Sequence, residues 1–154
     1  ALREFHTEGR DNEQNYQEIA SNFKAFVKKL RNQSKGIGLK SGYVPNTVFW
    51  IIYKNTFVGR ISVRHKLTKI LRRMGGHIGY EIRPSERNKG YGKQALGLVL
   101  PKAKSLGITK ALLTCDVDNL GSRKIIESNG GILINEISQG KKKTTKRRYY
   151  IHIQ

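Results

Sequence analysis

Apolar residues recur at two different periods along this chain, and the switches between them divide it into elements. Over residues 15–36, "NYQEIASNFKAFVKKLRNQSKG", Tyr16, Ile19, Phe23, Phe26, Val27 and Leu30 fall mostly three and four apart. That spacing predicts a helix with Lys24, Lys28, Lys29 and Arg31 on its outer side. Residues 36–46, rich in glycine and carrying Pro45, predict a loop. "TVFWIIY" (47–53) and "FVGRISVRH" (57–65) are β-rich, and Lys54-Asn55-Thr56 between them predicts a hairpin. Residues 66–76, "KLTKILRRMGG", fit neither period and read as a connection. "GHIGYEIR" (76–83) predicts a third strand.

A helix follows over about 90–106. Pro101 falls inside it, where it should bend the helix and leave the Gly97 carbonyl without its usual donor. "KALLTCDV" (110–117) is mostly apolar and predicts a strand buried on both faces. "NLGSRKIIESNGG" (119–131) predicts a short helix capped by Asn119 and stopped at Gly130. "GILINEIS" (131–138) and "KRRYYIHI" (146–153) predict two last strands around an exposed, lysine-rich tip. Strand 77–83, helix 90–106 and strand 110–117 form a β-α-β unit. Its crossover makes the two strands parallel within an otherwise antiparallel sheet. The predicted class is α/β in the mixed, α+β sense, as one domain over 1–154. No repeat and no linker of domain-boundary length interrupts it.

Charge changes the picture. Lys and Arg number 30 against 11 acids, for a net charge of +19. Glu4, Glu8, Asp11, Glu13 and Glu18 crowd the start, whereas residues 19–80 hold no acid and 13 Lys or Arg. A field of that sign draws polyanions: nucleic acid, nucleotide cofactors or acidic protein surfaces. It also serves a merely soluble surface, so charge alone names no partner. No stretch reaches the ~18 apolar residues of a membrane span. A single cysteine, Cys115, cannot form an internal disulfide, and a reducing cytoplasm is the default.

Candidate chemistry gathers at "RNKGYG" (87–92), where strand gives way to helix. The first turn of a helix has unpaired N–H groups and a partial positive charge. Glycine at 90 and 92 lets such amides approach a diphosphate closely. Arg87, Lys89 and Lys93 add full charges. Arg87-Asn88-Lys89-Gly90-Tyr91-Gly92 resembles the acetyl-coenzyme A pyrophosphate loop of the GNAT superfamily of N-acetyltransferases. "YEIRPSERNKGYG" resembles the strand and turn that lead into that loop, and "LGITKALLTCDVDN" the helix end and strand that follow. "NLGSRKIIESNGG" resembles the superfamily's Asn-x-x-Ser helix ending in Glu-x-x-Gly. The similarity covers at least residues 46–137, and its longer run looks like one bacterial branch of the superfamily.

The resemblance implies an acetyl-coenzyme A dependent N-acetyltransferase with the parallel strand pair splayed into a V-shaped cleft. It implies that main-chain groups near Glu81, Ile82 and Arg83 pair with the pantetheine arm. Arg87, Asn88, Lys89, Gly90, Tyr91, Gly92 and Lys93 would hold the diphosphate. The strand carrying Thr114 and Cys115 would lean away, with Asn119 and Ser122 beside the thiol end. No metal is called for. Homodimers are common in the superfamily. Its members normally begin with a strand; here "ALREFHTEG" precedes the first helix, so the chain is trimmed or that strand is missing or swapped.

Two departures bear on catalysis. Many members carry a tyrosine that protonates the departing thiolate, and the matching position is Ile126. Many place a glutamate base early in the strand before the loop, where this chain has Gly75 and Gly76 followed by His77. An amine nucleophile with a pKa near ~10.4 must lose a proton before attack. His77, Glu81 and Asp116 are the candidate bases, and His77 has the intrinsic chemistry for it. Tyr149 and Tyr150 are candidate acids. Cys115 reads as a buried structural thiol, which favours direct transfer, and Trp50 as part of the sheet core. Three readings stand: an N-acetyltransferase, a basic nucleic-acid-binding module, or a catalytically silent acyl-coenzyme A binder. The acceptor would be a small-molecule or protein amine, and the acid-poor segment disfavours a polycation.

Overall fold

The structure, a computed structural model, describes residues 2–8, 19–140 and 144–154. The start of the first predicted helix, including Tyr16, and Asp11, Glu13, Glu18 and Lys141 to Lys143 lie outside the described residues. Helix α1 (Leu2–Thr7) is followed by α2 (Phe23–Ser34), whose Asn22 cap accepts a hydrogen bond from the Ala25 N–H. Strands β1 (Asn46–Tyr53) and β2 (Thr56–Arg64) form the expected hairpin. Its turn is tighter than expected: Tyr53 pairs with Thr56, so two residues, Lys54 and Asn55, make the bend at φ 46° and 61°. Paired positive φ values suit the twist of an antiparallel ribbon.

The connection at 66–76 contains a helix, α3 (Lys69–Met74), begun by the Thr68 hydroxyl accepting from the Leu71 N–H. Then come β3 (Ile78–Ile82), a 3-10 turn over Pro84–Glu86, and α4 (Tyr91–Ser105). The chain ends with β4 (Lys110–Asp116), α5 (Leu120–Glu127), β5 (Ile132–Ile137) and β6 (Lys146–His152). Helix α4 runs on through Pro101. Pro101 and Gly97 both lie on its exposed side, where water can take the carbonyl that proline leaves without a donor.

The sheet divides between β3 and β4, where the resemblance implied a splayed pair. One half has the order β1-β2-β3 and the other β4-β6-β5, and every described ladder is antiparallel. No parallel ladder joins β3 to β4. The two halves meet at a single bridge, Gly76 to Leu113, of antiparallel pattern. His77 is the pivot. Its carbonyl accepts from Arg64 N–H in the first half at 2.7 Å, and its N–H donates to the Leu112 carbonyl in the second at 2.6 Å. The imidazole adds a third link, with Nδ1 accepting from the Leu112 N–H at 3.0 Å. Beyond this joint the strands separate.

Helix α4 holds the halves together from one side. Ala95, Leu96, Val99 and Ala103 pack with Ile61, Val63 and Ile78 of the first half and Ala111, Leu113 and Cys115 of the second. On the opposite side α2 covers the first half more loosely and buries no residue completely. Trp50, expected in the core, is 39% exposed there, between Phe23 and Phe57. No described helix is long and apolar enough to cross a membrane.

Gly76 makes the joint possible. Its φ is +72°, and a Cβ would stand 2.4 Å from the Leu112 carbonyl oxygen. Gly76→Ala is expected to cost ~2 kcal/mol or more, from left-handed strain and the clash together. Urea unfolding of the two proteins measures it.

Candidate functional site

The opening between β3 and β4 leads into a cavity of about 290 Å³. Tyr80, Glu81 and Ile82 of β3 line one wall. Glu86, Arg87, Asn88, Gly90, Tyr91, Gly92 and Lys93 form the loop end. Asn119, Ser122, Lys124 and Ile125 of α5 and its cap line the other wall.

The loop end is a bare helix N-terminus. Gly90 caps α4 at φ 83°, a left-handed conformation that glycine adopts freely, and no side chain caps it. The first helical bond runs from Gln94 N–H to the Gly90 carbonyl. The N–H groups of Tyr91, Gly92 and Lys93 therefore have no partner within the helix. The wall at β3 is equally open. Arg83 donates its N–H to Val58 and the His77 carbonyl accepts from Arg64. By the alternation of an antiparallel ladder, the main-chain groups of Glu81 and Arg83 face β2, while those of Ile78, Tyr80 and Ile82 face the free edge. Of the three residues expected near the pantetheine arm, Ile82 alone offers its main chain there. Tyr80, which the sequence reading passed over, offers the other.

The cations expected at the loop are held by carboxylates. The Arg87 guanidinium forms a two-pronged pair with Glu8, at 2.7 and 2.6 Å, and its Nε donates to the Ile82 carbonyl. Lys89 pairs with Glu86 at 3.0 Å. Glu4, on α1, bonds the Arg83 guanidinium and accepts from the Ser85 N–H. Among the described residues, Lys93 and Lys124 on the cavity wall have no carboxylate partner, and Lys124 was not anticipated.

Asn119 and Ser122 line the cavity wall opposite β3. Asn119 Oδ1 caps α5 through the Ser122 N–H, and the Ser122 hydroxyl lies 2.7 Å from that of Tyr80. Burial pushes the Tyr80 phenol up to about 12, so it keeps its proton throughout the physiological range. Ile126 is packed into the core at 1% exposure, and its neighbour Ile125 faces the cavity instead.

The three candidate bases have different surroundings. Nδ1 of His77 already accepts a main-chain bond, and burial together with Arg72 and Arg64 lowers its pKa. Asp116 is bound by Lys146 across β4 and β6 at 2.7 Å. Glu81 is bonded by Arg60, Nε at 2.9 Å and Nη2 at 2.8 Å, and borders the cavity. Cys115 is 4% exposed, and burial raises its thiol pKa. Tyr149 is fully buried with its hydroxyl on Glu127 at 3.3 Å, away from the cleft.

A split sheet opening onto an uncapped, glycine-started helix offers main-chain groups and positive potential to an extended, anionic ligand. The family described as "Acetyltransferase (GNAT) domain" matches residues 3–132, and the chain belongs to that family. A search of curated proteins found no match. Among solved structures, the ribosomal L7/L12 alpha-N-protein acetyltransferase RimL in complex with coenzyme A is 21% identical, with a TM-score of 0.59. That likeness covers 70% of this chain and 62% of that one, so the chain spans less than two thirds of this relative. A Salmonella typhimurium acetyl transferase that modifies the N-terminal serine of ribosomal protein L7/L12 is 19% identical, with a TM-score of 0.62 over 84% and 73% of the two chains. The microcin C7 self-immunity acetyltransferase MccE, with acetyl-CoA and AMP, is 19% identical, with a TM-score of 0.60 over 84% and 69%. At these identities the likeness is one of fold.

The contact of α1 with the loop is pH-dependent. The Ser85 N–H and the Arg83 guanidinium hold the Glu4 carboxyl down to about 2, from an ordinary value of 4.5. A depressed carboxylate stabilises the folded state above its unfolded pKa and loses that contribution as pH falls through the folded one. The stability difference between the wild type and Glu4→Gln should be constant above pH 4.5 and vanish near pH 2. Chemical denaturation across that range checks it.

Proposed function

We propose that this chain transfers an acetyl group from acetyl-coenzyme A directly to the nitrogen of an amine. One observation carries the reading: the unpaired edge of β3 and the uncapped start of α4 open into the same cavity. The residues fit the cofactor. The N–H groups of Tyr91, Gly92 and Lys93 would hold the diphosphate, with Lys93 and Lys124 adding charge. The main chain of Tyr80 and Ile82 would pair with the amides of the arm as an added strand does. Asn119 and Ser122 would border its thiol end. When bound, acetyl-coenzyme A supplies an acyl group activated as a thioester.

The chain's own part is to orient that group and to handle two protons. The amine must arrive neutral. Glu81 borders both this cavity and the one beneath α2, which supports it as proton acceptor, directly or through water. The Tyr80 and Ser122 hydroxyls, 2.7 Å apart on the cavity lining, would protonate the departing thiolate in place of the tyrosine absent at 126. A buried, proton-holding Cys115 is unsuited to carry the acetyl group, which supports direct transfer. The acceptor is a neutral or anionic amine rather than a polycation, in keeping with the acid-free stretch 19–80.

Calorimetric titration with coenzyme A should show one site. Gly90→Val should weaken it about tenfold, ~1.4 kcal/mol, because valine resists the left-handed cap. Absence of binding by the wild type would remove the proposal. Glu81→Gln should leave that affinity unchanged and lower kcat by roughly 100-fold. An unchanged kcat for this variant would clear Glu81 of the proton-acceptor role.

A further inference from the structure

The face of the first half-sheet beneath α2 is laid out in rows. Trp50, Arg60 and Glu81 stand side by side in one row, and Val48, Ser62 and Gly79 in the next. Asn46 and Arg64 form the third. With Phe26 and Leu30 of α2 above, these residues enclose a second cavity, of about 370 Å³. Tyr80 and Glu81 belong to both cavities, so the second adjoins the first at its thiol end. An acceptor amine can reach that point from here without crossing the cofactor's own path.

The charges in this cavity do not cancel. Glu81 is matched by Arg60. Arg64 is not matched by any carboxylate among the described residues. Among the described residues, the guanidinium's hydrogen bond runs from Nη1 to the Gly76 carbonyl at 3.1 Å. The guanidinium lies back along the sheet over Gly79: a Cβ at 79 would stand 3.7 Å from Nη1 and 3.9 Å from Nη2. The guanidinium thus rests against the backbone at 79, one residue from Tyr80. Burial alone lowers the pKa of this group. The guanidinium is half-buried on the cavity lining, and the donors that Gly76 does not take are open to water or to a ligand there. A planar fork of N–H donors matches a carboxylate in two-pronged fashion.

We propose that Arg64 is the acceptor-recognition residue and that it binds a carboxylate carried by the amine substrate. This rests on the acetyltransferase reading and narrows it to amines bearing an acidic group. Arg64 pairs with that carboxylate on the floor of the second cavity, and the amine then lies toward Tyr80 and Glu81. Polyamines lack a group for Arg64 and meet its charge unscreened.

The test uses the full chain, acetyl-coenzyme A and two peptide amides, Ala-Asp-Asp-Phe and Ala-Asn-Asn-Phe. The acidic peptide should be acetylated with kcat/KM about tenfold or more above the neutral one, mainly through KM. Arg64→Gln should bring the acidic peptide down to the neutral level, and Arg64→Lys should fall between. Ser62→Asp, which sets a carboxylate in the adjoining row without touching Arg64, should abolish the preference too. Coenzyme A affinity should not change in any of the three. Equal use of both peptides by the wild type overturns the inference. So does turnover of neither peptide by a protein that binds coenzyme A, or a preference that survives both Arg64→Gln and Ser62→Asp. Failure to bind coenzyme A at all strikes the acetyltransferase reading instead.

Discussion

Two hydrogen bonds between His77 and Leu112 join the halves of this sheet, a third seats His77 on β2, and the functional geometry follows from where they stop. The residue serves both halves: its carbonyl closes the β2–β3 ladder, and its N–H and imidazole grip Leu112 of β4. One residue earlier, Gly76 lets the backbones approach closely enough for this contact. Past it, β3 is left with an edge that no neighbouring strand pairs, touched at the Ile82 carbonyl by the Arg87 guanidinium. An unpaired edge invites an extended ligand with amide groups. The same divergence brings the start of α4 and the cap of α5 around one cavity.

The site is accordingly built mostly from main chain, which explains how unevenly it could be read beforehand. Gly90, Tyr91, Gly92 and Lys93 were legible because a glycine pair between a strand pattern and a helix pattern has few other uses. Asn119 and Ser122 were legible as a cap spacing. The register of β3 was not. An alternating strand reveals which side chains share a face, but not which edge its carbonyls address, so Glu81 and Arg83 were assigned groups that belong to Tyr80 and Ile82. Arg87 read as a cofactor ligand because its ion pair to Glu8, 79 residues away, is invisible to a local pattern; the Lys89–Glu86 pair, three residues apart, was open to view and passed over.

The same limits apply to the fold. Strands, hairpin and the two flanking helices followed from period and turn chemistry. The parallel ladder did not form, because connectivity constrains direction without guaranteeing hydrogen bonds. Helix α3 escaped notice because six residues are too few to establish a period. Residues Leu2–Thr7, for which no element was predicted, form a helix tied to the loop through Glu4. His77 shows the limit most sharply. Its chemistry suggested a base, and its surroundings make it a structural hinge whose acceptor nitrogen is already in use.

The joint at His77 makes a direct statement about a liganded crystal. A structure determined with coenzyme A should show the pantetheine amides bonded to the main chain of Tyr80 and Ile82 and the diphosphate on the N–H groups of residues 91–93. β3 and β4 should remain bridged at Gly76 and Leu113 alone. Coenzyme A bound elsewhere, or β3 and β4 zipped into a continuous ladder through residue 82, would contradict the account.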